Sequence, residues 1–339
     1  MIHPTQAKAQ LGSRGTTKGR IMKFRCAVLD DYQNVALKMA GWSKIADQVD
    51  VTVFNEYIPP GKVVETLKPF AVICMMRERT TFLRPTIDGL PELKLLITSG
   101  MRNASIDMAA AAERNIVVCG TESIGHPTAE LAFGLMLELA RKIGFENARM
   151  KAGAPWQITL GSELSGKTLG ILGLGKLGSK AAAIGKAFGM TSIAWSQNLT
   201  EDKAREGGAS LVSKEDLFRR SDFVTIHTQL SPRTRGVVGA AELGLMKPTA
   251  YLINTSRGPI VDEAALLESL KSKKIAGAGL DVFDTEPLPV DHPLRKLDNA
   301  LLTPHLGYVT EENYSRYFPQ MVEDIRGWLD GKPVRVMTK

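Results

Sequence analysis

The sequence predicts an α/β protein of two doubly wound domains, each a parallel sheet with helices on its faces. Three observations predict this. From residue 24 onward, short runs of β-formers alternate with helix-forming segments, the order that builds parallel sheets through crossover helices. The 339 residues suffice for two domains at roughly 150 residues each. One apolar run passes straight into Gly173-Leu174-Gly175-Lys176-Leu177-Gly178 and then an alanine-rich helical segment. That is the strand, tight turn and helix of a dinucleotide-binding unit.

Residues 1–21 are rich in Gly, Thr and Gln, lack an apolar period, and read as a disordered tail. They hold Lys8, Arg14, Lys18 and Arg20 and no acid; without those four the net charge of +7 falls to +3. No basic stripe remains, which argues against a nucleic-acid partner. Strands are expected over 24–29, 51–54, 71–75, 95–98 and 116–118, with turns at Pro59-Pro60-Gly61 and at Pro69. A helix follows over 128–143. Its apolar positions cover most of the circumference, so it should be buried, between domains or between subunits. An irregular stretch with Gly153, Pro155 and Gly161 leads to the glycine-loop unit.

The second series of strands is expected over 168–172, 192–195, 223–227, 250–254, 275–281 and 300–303. Ser213 and Asp216 read as a capping box for the helix that reaches Arg220. A last helix is expected over 313–329, and with Lys339 as the final residue no C-terminal regulatory domain is expected. No run of 18 uncharged apolar residues exists, so neither a transmembrane helix nor a membrane partner is expected. Cys26, Cys74 and Cys119 lie far apart, each in or beside an apolar run. They read as buried thiols of a reducing compartment, which points to the cytoplasm. No His, Cys and Asp cluster has the spacing of a metal site, so no metal is expected.

The chemistry-bearing residues fall near the ends of expected strands, where an open parallel sheet presents ligand-binding groups. In the glycine loop, Gly173 permits the turn, Gly175 lets the backbone approach a pyrophosphate, and Gly178 lets the helix pack close. Lys176 and Leu177 open a helix whose free N–H groups and partial positive charge suit phosphate. Three further clusters are Asn254-Thr255-Ser256-Arg257-Gly258, Asp281 to Pro287, and Thr303-Pro304-His305-Leu306-Gly307. They supply a permanent cation, a carboxylate and an imidazole, the parts for binding an anion and moving a proton near neutral pH.

With the glycine loop and these clusters in this order, the chain resembles the D-isomer-specific 2-hydroxyacid dehydrogenases over about residues 24 to 330. That family includes 3-phosphoglycerate dehydrogenase and glyoxylate/hydroxypyruvate reductase. The resemblance implies a Rossmann cofactor domain, 124–307, inserted in a flavodoxin-like substrate domain of 22–123 plus 308–339. It implies hydride transfer between NAD(P)H and C2 of a small 2-oxo acid or D-2-hydroxy acid. Arg257 would bind the substrate, His305 would be the acid/base, and Glu286 would hold His305 by a hydrogen bond. Asp281 would contact the nicotinamide carboxamide, with Ser196, Gln197, His227, Thr255 and Gly307 along the cofactor. A homodimer paired through the cofactor domains is implied, with the active site in the cleft between the domains. His292 and His126 are read as structural.

Three departures bear on specificity. NAD-selective relatives place an acid near Ser196; here Ser196-Gln197-Asn198 has neither acid nor arginine, which leaves NAD and NADP both open. The loop that relatives write GxGxDNID reads Gly100-Met101-Arg102-Asn103-Ala104-Ser105-Ile106-Asp107, so Gly100, Met101 and Arg102 are the substrate-loop candidates. Arg77 matches an arginine near the substrate in some relatives, and Arg79 is an extra cation beside it. C-terminal binding proteins share the same Arg, Glu and His set yet act as NAD-dependent co-repressors. An NAD-sensing scaffold is therefore the alternative to an enzyme.

Overall fold

The computed structural model describes residues 23–338; the tail expected over 1–21 lies outside them. The chain folds into two compact units. One holds the described residues up to Gly125 together with those from Thr310 onward, and the other runs from His126 to Val309. The second unit is thus an insertion in the first.

The first unit is built on β1 (Phe24–Val28), β2 (Val49–Val53), β3 (Val72–Met75), β4 (Leu95–Thr98) and β5 (Val117–Gly120). All pair parallel in the order β2-β1-β3-β4-β5, the flavodoxin-like winding. Every residue of β3 and β4 is buried. Strands covered on both faces read as continuous apolar runs rather than alternating ones. The three cysteines are free and buried in this sheet. The long Glu311–Leu329 helix closes one face, its first turn capped by the Thr310 hydroxyl, which accepts the Asn313 N–H.

The second unit is built on β6 (Thr168–Leu172), β7 (Thr191–Trp195), β8 (Ser210–Leu211), β9 (Phe223–Ile226), β10 (Tyr251–Asn254), β11 (Gly277–Leu280) and β12 (Ala300–Leu302). They pair parallel in the order β8-β7-β6-β9-β10-β11-β12. The strand order reverses between β6 and β9, which is where such sheets hold a dinucleotide.

Several expected elements differ. Pro59-Pro60-Gly61 is not a free turn: Pro60 opens the Pro60–Leu67 helix, where its missing N–H costs nothing. The helix expected over 128–143 is Pro127–Arg141; the chain turns left-handed at Lys142 (φ 55°) and starts a second helix, Ile143–Lys151. The apolar face of the Pro127–Arg141 helix is buried within its own unit, with Phe133, Leu135, Met136 and Leu139 packed among Ile171, Ala181, Phe223 and Ile253. The short edge strand β8 has no counterpart in the sequence reading. At Ser213 the hydroxyl accepts the Asp216 N–H at 3.0 Å and caps the Lys214–Arg220 helix.

Candidate active site

The glycine turn follows β6. Gly173 has φ +98°, and a Cβ there would stand 2.8 Å from the His227 and Thr228 backbone. A Cβ on Gly178 would stand 2.2 Å from the Gly173 carbonyl oxygen, so the helix sits directly against the turn. Gly175, by contrast, faces open space. It caps the Lys176–Ala187 helix, with Lys176 exposed and Leu177 half-buried beside it. Ser196, just after β7, is tied to the turn: its hydroxyl accepts the Leu174 N–H at 3.1 Å. Gln197 is exposed next to it.

Two buried polar atoms at the ends of β9 and β10 lack partners. His227 pairs its Nε2 with the Thr225 hydroxyl at 3.0 Å, but its Nδ1 is buried without a hydrogen bond, as is Thr255 Oγ1. Burial pushes the His227 imidazole down to about 4, so it is neutral at physiological pH. Native interiors rarely leave such atoms unanswered. Two orphaned groups near the strand-order reversal, with open space over Gly175 at a helix N-terminus, fit a dinucleotide.

The other cluster is assembled from three loops of the same unit. Gly258 lets two of them meet, since a Cβ there would fall 2.1 Å from the Phe283 carbonyl carbon. Arg257 donates Nη1 to the Ser256 carbonyl at 2.6 Å, and its own carbonyl accepts from Asn254 Nδ2 at 2.9 Å. Glu286 Oε1 accepts the Phe283 N–H at 2.9 Å, while Oε2 lies 2.6 Å from His305 Nδ1. Burial works to raise the Glu286 carboxyl. The His305 bond and charge, the Phe283 N–H and the Arg257 charge outweigh it and hold it below its ordinary value. The imidazole is mostly buried, its edge against the Tyr308 ring at 5.7 Å between centroids.

With Nδ1 bound to a carboxylate, the remaining nitrogen of His305, Nε2, is the one able to exchange a proton. An arginine fork, an oriented imidazole and its ionised partner can bind an anion and move a proton onto an adjoining oxygen. Asp281 is fully buried. Its carboxylate accepts from the Thr303 hydroxyl and from the Leu306 and Gly307 N–H groups. His292 is structural: its Nδ1 accepts the Leu294 N–H at 3.3 Å and its Nε2 meets Glu263 at 3.1 Å. His126 is the residue before the Pro127–Arg141 helix.

In the first unit, Arg77 follows β3 with φ +52°. Its N–H donates to Ser99 Oγ at 2.9 Å, and Nη1 donates to the Ser99 carbonyl at 3.2 Å. Gly100 has φ +89°, a backbone that side-chain-bearing residues rarely adopt, and the movable end of Arg77 lies against it, 1.9 Å from where a Cβ would stand. Met101 and Arg102 are exposed. Asn103, which the sequence reading passed over, is buried and ties this loop together by donating to the Arg77 carbonyl and to Thr98 Oγ1. Thr303, named above only as part of its cluster, and Thr128 had no role in the sequence reading; each hydroxyl donates to a residue distant in the chain. Among the described residues no group of three His, Cys, Asp or Glu side chains could hold a metal, and no helix is long and apolar enough to cross a membrane.

The family model described as "D-isomer specific 2-hydroxyacid dehydrogenase, NAD binding domain" matches residues 133–307. The chain is 37% identical over 293 residues to a D-3-phosphoglycerate dehydrogenase of Methanocaldococcus jannaschii, covering 85% of this chain and 55% of that one. It is 38% identical over 300 residues to a glyoxylate reductase of Aeropyrum pernix, covering 84% and 88%. It therefore spans about half the length of the former relative. Among solved structures it resembles a phosphoglycerate oxidoreductase from Vibrio cholerae, with a TM-score of 0.84, 35% identity and 91% and 99% of the two chains covered.

Proposed function

The chain belongs to the D-isomer-specific 2-hydroxyacid dehydrogenase family, and from that premise we propose that it interconverts a small 2-oxo acid and its D-2-hydroxy acid. The family's cofactor is NAD or NADP, which when bound supplies or accepts the hydride at C2. Gly173 to Gly178 hold the pyrophosphate, and Ser196 and Gln197 meet the adenosine ribose. His227, Thr255 and Gly307 line the rest of the cofactor, while Asp281, which the resemblance places at the nicotinamide carboxamide, is fully buried with its carboxylate already taken by Thr303, Leu306 and Gly307. Arg257 takes the carboxylate and the 2-oxo oxygen through its forked donors. His305 Nε2 gives its proton to the carbonyl oxygen as C2 is reduced, and takes the hydroxyl proton back in oxidation. Glu286 stays ionised and carries the compensating negative charge. In the first unit, Arg77 with Gly100, Met101 and Arg102 is read as an anion-recognising loop. The candidate substrates are glyoxylate, hydroxypyruvate and 3-phosphoglycerate.

The observation that carries this reading is the 2.6 Å His305–Glu286 pair, flanked by Arg257. The test is turnover of each acid by the purified protein with NADH and with NADPH, or with the oxidised forms for 3-phosphoglycerate. Oxidation or reduction of nicotinamide with at least one acid is expected. No turnover with any pair would contradict the reading.

We also infer a homodimer. Ile143, Phe145, Met150, Trp156, Ile158 and Leu160 are exposed in one stretch of the second unit, Leu160 completely. Apolar surface of this kind pairs most simply about a two-fold axis. Sedimentation should show a dimer that Leu160→Glu weakens; a monomeric wild type would contradict it. Three buried free cysteines fit a reducing cytoplasm, and no nucleic-acid or membrane partner is proposed.

A further inference from the structure

The carboxylate of Asp281 is committed to the turn that carries His305. Oδ1 accepts from the Thr303 hydroxyl at 2.6 Å and from the Leu306 N–H at 2.7 Å; Oδ2 accepts the Gly307 N–H at 2.8 Å. These three donors flank His305 on both sides in the chain. His305 itself has φ +53°, the left-handed region that a residue with a side chain leaves unless its surroundings hold it there. Its N–H donates to the Thr303 carbonyl at 3.0 Å. The far end of the turn is held as well, because the Gly307 carbonyl accepts the Thr128 hydroxyl at 2.8 Å. The fit is close: a Cβ on Gly307 would stand 3.2 Å from Asp281 Oδ2 and from Thr128.

We propose that Asp281, acting through Thr303 and the Leu306 and Gly307 N–H groups, is the positioning residue that sets the backbone of His305, a role separable from any contact with nicotinamide. Glu286 aligns the imidazole only if the backbone beneath it is fixed. One loop then does both: Asp281 fixes the His305 backbone and Glu286, five residues on, fixes the ring. A carboxylate is suited to this because its two oxygens offer about four acceptor positions, enough for three converging donors. An amide at the same place has one oxygen and would turn an N–H₂ group toward an N–H. The inference rests on the acid/base reading of His305, so its test needs a readout that does not depend on turnover.

The variants are Thr303→Val, which deletes one donor at nearly the same shape, Thr303→Ser, which keeps it, and Asp281→Asn. Loss of orientation at an acid/base group should lower kcat about tenfold to a hundredfold in Thr303→Val. NADH affinity, followed by nicotinamide fluorescence, should stay within about twofold, and Thr303→Ser should recover most of kcat. Independently of turnover, the His305 Nδ1–H proton, held by Glu286, should give a downfield NMR resonance. With five histidines in the chain, His305→Gln assigns it. The resonance should shift or broaden in Thr303→Val and Asp281→Asn and persist in Thr303→Ser. A wild type inactive on every acid would defeat the dehydrogenase reading, while the resonance would still test the brace. Three results would overturn the proposal. One is an unchanged kcat and resonance in Thr303→Val. Another is a loss that serine does not restore. The third is an Asp281→Asn protein that loses NADH affinity with the resonance intact.

Discussion

The glycine turn and the acid–base cluster stand at the same C-terminal edge of one parallel sheet, yet they are built in opposite ways. The turn is a backbone device made from neighbouring residues, and His227, whose backbone lies against it, keeps its buried Nδ1 unanswered. The cluster is made of side chains from three separate loops, and its carboxylates already have partners: Glu286 holds His305, and Asp281 holds Thr303, Leu306 and Gly307. A surface that must take up and release a dinucleotide keeps donors and acceptors in reserve. On the proposed function, the group that must keep its geometry through proton transfer is the one saturated beforehand, which limits reorganisation during the reaction.

If the contrast holds, damage to the two regions should differ in kind. The largest effect is expected for Gly178→Val. Its side chain would meet the Gly173 carbonyl, which is backbone and cannot swing away. Stability of the second unit should fall by more than about 3 kcal/mol, with NADH binding lost, as read by urea unfolding and fluorescence. Retained affinity would show that the turn yields.

Next comes pH. Burial lowers His227 to about 4 from 6.5, so below pH 6.5 the unfolded chain takes a proton that the folded chain refuses. The stability that depends on this group is complete above pH 6.5 and drains away as pH falls toward 4, by up to about 3 kcal/mol. His227→Gln should flatten that decline in urea midpoints measured at about pH 7 and about pH 4.5; an unchanged slope would mean that the imidazole is solvated.

Glu286→Gln tests the saturated region. It leaves the shape and removes the charge, and it should reduce kcat/KM about tenfold to a hundredfold with NADH affinity unaltered. A fall in affinity instead would merge the two regions into one. The smallest effect is expected at Ser196. An acid there should repel an adenosine 2′-phosphate, so Ser196→Asp should weaken NADPH binding about tenfold while sparing NADH, as read by titration calorimetry.

What the sequence could reveal follows the same division. The glycine turn was legible because its residues are contiguous and flanked by a strand and a helix. The strand at Leu95–Thr98 was legible to the residue because the run is apolar throughout and fully buried. The break at Lys142 was not, since a lysine between two helical segments carries no local mark of a left-handed backbone. Nor was β8, only two residues long. Within the cluster, residue types marked three chemistry-bearing loops, and the resemblance to the 2-hydroxyacid dehydrogenases picked out Arg257, Glu286 and His305 in them. Their approach depends on Gly258 lying against Phe283, a contact between loops that composition does not encode. Thr303, Thr128 and Asn103 were silent for the same reason: their hydrogen bonds reach residues distant in the chain, and a single threonine or asparagine looks alike wherever it falls.

The most direct test of the central claim is His305→Gln, measured in two ways on the same protein: single-turnover hydride transfer to glyoxylate or hydroxypyruvate, and NADH affinity by fluorescence. The acid/base account predicts a loss in rate on the order of a thousandfold, with affinity within about twofold of wild type. Hydride transfer that proceeds at the wild-type rate without this imidazole would contradict it.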